Sequence, residues 1–135
     1  MKEEVQKKYL EFQLIQQQLE QLQQQHLLAQ TQVTQLRVVK DALEEVQKTP
    51  LKNEVLAPLG AGVFVKTTLQ ENAKVLMNVG AKTAVSKPIG EARGIVEKQM
   101  TEVTAFEQDL QKAMMQFVAR SQELQREMQK EADGE

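Results

Sequence analysis

The 135-residue chain has no cysteine, no tryptophan, three prolines and one histidine, and only 4% of its residues are aromatic. Without cysteine there can be no disulfide framework, thiolate metal site or cysteine nucleophile. Tyr9, Phe12, Phe64, Phe106 and Phe117 are too few to fill a compact globular core, so burial must come from many small aliphatic contacts along an extended shape. No apolar run reaches the length of a membrane span, and Met1-Lys2-Glu3-Glu4 lacks the apolar stretch of a signal peptide. A soluble, cytoplasmic protein is the expectation. The net charge of -2 rules out an electrostatic grip on a nucleic acid backbone.

What the chain has in quantity is glutamine, roughly one residue in six. Composition changes near Pro50 and again near Pro88, and three segments result: 1–49, 50–86 and 87–135, with net charges of about -1, +2 and -3. The outer two are rich in Gln, Glu, Leu and Met. The middle one holds Gly60, Gly62 and Gly80 among many Val and Thr residues. This pattern predicts helix, β insert, helix.

In the first segment a heptad frame places Val5, Phe12, Leu19, His26, Val33 and Lys40 at a, with Lys8, Ile15, Leu22, Ala29, Leu36 and Leu43 at d, a sustained coiled-coil seam. In the last segment Ile89, Val96, Val103, Leu110, Phe117 and Leu124 share the a column. A second apolar column wanders between d (Ala92, Phe106, Ala113) and e (Met100, Met114, Met128), as suits a helix with more than one neighbour. Each helix should run about 43 residues, or roughly 65 Å. Matched lengths around a short insert predict an antiparallel αα-hairpin with both termini at the end farthest from the insert. Matching the seams sets Phe12 near Ser121 and His26 near Glu107.

The insert predicts strands over 62–68 and 74–79, joined across the turn-prone Gln70-Glu71-Asn72, with weaker strands over 54–59 and 82–85 flanking them, and hence two β-hairpins. Val63, Val65, Val75, Met77 and Val79 alternate with Phe64 and Leu76, so both faces carry apolar side chains. Such a small sheet cannot cover its own faces and edges, and its completion by other chains is expected. The fold class is thus α+β: a long antiparallel coiled-coil hairpin carrying two β-hairpins that complete a β-barrel platform by oligomerisation.

Candidate chemistry is sparse. His26 reads as a polar seam residue that sets register rather than a ligand or base. Asp41, Glu44 and Glu45 spread over several helix faces and suit solvent better than a metal. Gly60-Ala61-Gly62 fits a hairpin turn rather than a phosphate loop, as it precedes no helix. No catalytic constellation, metal site or cofactor is expected. From Phe12 to Leu36 the only formal charge is Glu20, which makes either a neutral wettable coil or a surface that touches unfolded chains without choosing them by charge. Off the seam, Tyr9, Leu10 and Leu14 surround Val5 and Phe12, and Met115 and Val118 do the same on the second helix. They either pack against a neighbouring helix or form an exposed apolar patch, where methionines would adapt to varied partners. Gly90 and Gly94 imply a later helix start or a close backbone approach.

A long helix, Val55-Leu-Ala-Pro-Leu-Gly-Ala-Gly-Val-Phe-Val-Lys66, Lys74-Val-Leu-Met-Asn-Val-Gly-Ala81 and a second long helix together resemble prefoldin subunits of the alpha type, over nearly the whole chain. Beta-type subunits have one hairpin between their helices, and room for two points to alpha. The lack of extensions is similar to archaeal members. The resemblance implies a hexamer of two alpha and four beta subunits with a β platform and hanging coiled coils. It further implies holding of non-native proteins at the coil tips without ATP, and their delivery to a cytosolic group II chaperonin. Val5, Tyr9, Leu10, Phe12, Leu124 and Met128 would then be client contacts at the tips, and Val63, Phe64, Val65, Val75, Leu76, Met77 and Val79 the platform interface. A structural coiled-coil tether or self-assembling filament subunit is the alternative; an enzyme is disfavoured by the residue inventory.

Overall fold

The computed structural model describes residues 2–134. Helix α1 (Lys2–Lys48) is followed by strands β1 (Glu54–Gly60), β2 (Val63–Thr68), β3 (Lys74–Asn78) and β4 (Ala84–Pro88), and then by helix α2 (Ile89–Asp133). Two long helices with two antiparallel β-hairpins between them are what the periodicities predict. The chain divides into two compact units, one of 1–33 with 102–135 and the other of 34–101.

In the first unit α1 and α2 run antiparallel, bringing the chain ends together. The Lys8 ammonium donates to Glu131 at 2.8 Å, and Arg120 donates through Nε and Nη2 to the two carboxylate oxygens of Glu11 at 2.8 and 3.1 Å. Ser121 accepts a hydrogen bond from Gln16 at 3.4 Å. The contacts of Glu11 with Arg120 and of Gln16 with Ser121 bracket the expected register of Phe12 with Ser121. Ile15, Ala29, Leu110 and Leu124 form the buried core here.

All twelve seam positions of α1 are buried or half-buried, including the polar Lys8, His26 and Lys40. On α2 the a column is likewise inside, and its companion alternates between d, where Ala92 is fully buried and Ala113 half-buried, and e. Met100, Glu107, Met114, Ser121 and Met128 are all at least half-buried, whereas Phe106 at d is 51% exposed. Of the expected d residues only Phe106 is displaced to the flank, beside the half-buried Glu107 at e.

In the second unit Lys40 pairs with Glu97 and Arg93 with Glu44, and Ile89, Ala92 and Val96 are the buried core. The strands form two separate two-stranded sheets, β1 with β2 and β3 with β4. Each hairpin turns through residues with positive φ: Gly60 (112°), Ala61 (51°) and Gly62 (78°) in the first, Gly80 (115°), Ala81 (47°) and Lys82 (61°) in the second. Two successive left-handed residues make a turn whose twist matches that of the strands. Placing Ala61, Ala81 and Lys82 there works against the usual steric preference of residues with a Cβ.

The equal turns belong to a repeat absent from the expectations above. Val55, Leu56, Gly60, Ala61 and Val65 recur twenty residues later as Val75, Leu76, Gly80, Ala81 and Val85.

Gly90 and Gly94 lie inside α2, and a Cβ added at either would meet nothing within 4 Å. The helix does not start later, and among the described residues no backbone passes close, so both expectations for these glycines are corrected. Each costs about 1 kcal/mol relative to alanine in a helix interior.

Candidate functional site

Two surfaces gather many of the exposed apolar side chains, while Leu27, Leu28, Val38 and Val39 lie elsewhere on α1. The first lies on the paired chain ends. Tyr9 and Leu10 are 54% and 58% exposed, and Leu14, one turn on from Leu10, is exposed as well. Val5, Phe12 and Met128 are half-buried. Leu124, expected among the contact residues, is wholly buried and packs instead of presenting a surface, as its a position dictates. On α2, Met114, Met115, Val118 and Ala119 line a shallow groove of about 550 Å³ bordered by Gln111 and Gln122, with Met115 71% exposed.

The ion pairs hold this end in register, and sequence reasoning missed them because Lys8 falls at a seam position. Hydrogen bonds from the Arg120 guanidinium hold the Glu11 carboxyl below the usual carboxylate range, against the opposing effect of desolvation. The Glu131 carboxylate beside it pushes the Lys8 ammonium above its ordinary value, again against desolvation. Arg120 is likewise raised, by Glu11 first and Glu123 after it.

The second surface is the pair of hairpins. Every residue of β2 is exposed, Val63, Phe64 and Val65 included, and Leu76 of β3 is 76% exposed. Val75 and Met77 are half-buried, while Val79 is exposed. Leu56 and Leu59 on β1 also face solvent and were absent from the expected interface; the alternation of Leu56 with Val55 and Ala57 carried that signal. A groove of about 570 Å³ runs between α1 and β1, lined by Ala42, Val46, Val55, Pro58 and Leu69 among others.

Among the described residues no group of three or more His, Asp or Glu side chains could hold a metal ion, and no helix is long and apolar enough to cross a membrane. The arrangement offers exposed apolar side chains at the paired chain ends and on the hairpins, which suit binding.

Residues 15–133 match the family model described as Prefoldin subunit. The chain is 30% identical over 127 residues to the prefoldin subunit alpha of Pyrococcus horikoshii, covering 93% of this chain and 86% of that one. It is 25% identical over 125 residues to the prefoldin subunit alpha of Archaeoglobus fulgidus, covering 93% and 91%. Among solved structures, filamentous PFD from Methanocaldococcus jannaschii is similar in fold, with a TM-score of 0.73 at 20% identity over 84% of this chain and 94% of that one.

Proposed function

The chain belongs to the prefoldin family, a family of chaperones that work as assembled subunits, and from that premise we propose that it is the alpha-type subunit of a hexamer with four beta-type partners. In this proposal the assembly holds non-native proteins without ATP in the cytoplasm and passes them to a group II chaperonin.

The observation that carries it is the pairing of two unfinished surfaces in one chain. Tyr9 and Leu10 remain exposed where the chain ends are locked together by ion pairs, although the coil has already buried its seam. Non-directional apolar contact of this kind suits clients of any sequence. Tyr9 and Leu10, with the exposed parts of Val5, Phe12 and Met128, are the proposed client contacts. Val63, Phe64, Val65, Val75, Leu76, Met77 and Val79 are the proposed platform contacts, supported by the exposure of every residue of β2.

Light scattering of the chain alone and with a beta-type subunit, followed by aggregation of a denatured test protein, tests the proposal. A defined hetero-oligomer that suppresses aggregation is expected. Open-ended polymers of the chain alone, without suppression, would favour the tether or filament role instead.

A further inference from the structure

Midway along the coil a polar pair takes the place of an apolar one. His26 and Glu107 are half-buried with Nε2 and Oε1 3.3 Å apart, while the neighbouring Phe106 stands on the flank, 51% exposed. A carboxylate inside and a phenyl ring outside reverse what burial favours, and such reversals of a local rule gather at functional places.

Facing Phe106 on the same flank is Leu28, 70% exposed, and the two side chains wall a groove of about 370 Å³ floored by Ala29 and Val103. Gln25 and Gln32 border it on α1, and Glu102 borders it on α2. These residues all belong to the unit of 1–33 and 102–135. Leu14 is exposed too, and it lies in the c column of α1 with Leu28, two heptads before it. The two leucines are therefore roughly 21 Å apart along the helix. Leu14 also adjoins Leu10, one turn back, so the apolar surface of the chain ends continues along this flank to the groove.

Charge selects the occupant. Between Phe12 and Leu36 the only formal charge is Glu20, so the α1 wall admits an apolar side chain without choosing it by sign. The exposed Glu102 carboxylate favours a cation beside that side chain. A second copy laid on the groove about a two-fold axis would instead bring two Glu102 carboxylates toward each other.

We infer that Leu28 and Phe106, with Leu14, form a second hold for non-native chains, separate from the chain ends. It takes an extended segment with two apolar side chains about six residues apart, the spacing that spans Leu14 to Leu28, and a basic residue next to the one in the groove. The inference rests on the proposed function and adds a second place of capture and the chemistry it prefers.

Fluorescence anisotropy on the complex with a beta-type subunit tests it, with a labelled, unstructured Gln/Ser peptide bearing two leucines at that spacing and a lysine beside one of them. Leu28→Gln should weaken its binding at least about fivefold, through lost apolar contact. Glu102→Gln should abolish the preference for this peptide over one with glutamate in place of the lysine. Both altered side chains are exposed, so melting should stay close to that of the parent. A photo-crosslinking group in place of the leucine beside the lysine should label 102–106. Equal binding by the parent and Leu28→Gln, with label confined to 1–12 and 124–135, would overturn the inference and leave capture at the chain ends standing. A smaller mass of the Leu28→Gln complex by light scattering would show that another coil covers the groove and would overturn the choice of occupant. A complex that binds none of the peptides and suppresses no aggregation would remove the proposed function together with the inference.

Discussion

Nε2 of His26 lies 3.3 Å from Oε1 of Glu107, yet that nitrogen is buried and makes no hydrogen bond. The two side chains stand opposite each other as the seam requires, but the angle is wrong for the ring to donate. A polar residue at a coiled-coil a position fixes register at a cost in stability. His26→Leu should therefore raise the stability of the coil by about 1–2 kcal/mol, through apolar burial and removal of an unsatisfied atom. Urea unfolding of the two proteins measures it; a lower midpoint for the variant would show that the contact with Glu107 outweighs both effects.

The ion pairs at the chain ends set a pH window. Glu11 is shifted down by Arg120, so its contribution is present above the ordinary carboxylate range and is lost as pH falls through the lowered value. Lys8 is shifted up by Glu131, so its contribution is present below the ordinary lysine value and is lost as pH rises through the raised one. These two contributions are constant between about pH 5 and pH 10 and are lost outside it. In a double-mutant cycle of Glu11→Gln with Arg120→Gln, favourable coupling at neutral pH should vanish near pH 2. Glu11 and Arg120 are only half-buried, so high salt should reduce the coupling.

Placing a charge on the hairpins tests their role in assembly. Val65→Asp or Val79→Asp should bury an unpaired carboxylate wherever the platform forms, and release smaller species. Light scattering on the co-assembled complexes reads the mass. A mass equal to that of the parent complex for both variants would exclude these residues from the interface.

Holding activity should not depend on ATP. Gly60-Ala61-Gly62, the best sequence candidate for a phosphate loop, is the turn of the first hairpin and opens no helix. Aggregation of a denatured test protein should be suppressed equally with and without ATP by the purified subunits. A reproducible ATP requirement would contradict the proposed mechanism.

The helices were legible because the seam is periodic: nothing else explains why Val5, Ile15, Leu22 and Ala29 are inside while Leu27 and Leu28 are out. The companion column of α2 was ambiguous because Phe106 at d and Met100 at e are both apolar, and only the partner helix decides between them. The hairpin strands were readable from their Val, Phe and Leu content. Their twenty-residue repeat was obscured where Gly62, Val63 and Phe64 became Lys82, Thr83 and Ala84. At the chain ends Tyr9 and Leu10 stood out as off-seam apolar residues, whereas Leu124, on the seam, was buried by the very pattern that revealed it.

The exposed residues of the chain ends give the sharpest test of client capture. Tyr9 and Leu10 lie in the unit formed by 1–33 and 102–135, whereas the hairpins belong to the other unit. Each apolar contact is weak, but several subunits touching one unfolded chain raise its residence through effective concentration. Capture should then depend more steeply on the number of intact chain ends than on any one side chain. Removing 1–12 together with 124–135 should leave assembly with a beta-type subunit intact, while protection of a denatured client falls sharply. Because that deletion also removes seam residues, Tyr9→Ser with Leu10→Ser is the finer variant: both side chains are mostly exposed, so the coil should melt near the parent temperature while protection weakens. If both altered complexes protect the client as well as the parent does, capture lies elsewhere on the coil. The glutamine-rich stretch between Phe12 and Leu36, with exposed Leu27 and Leu28, then becomes the candidate.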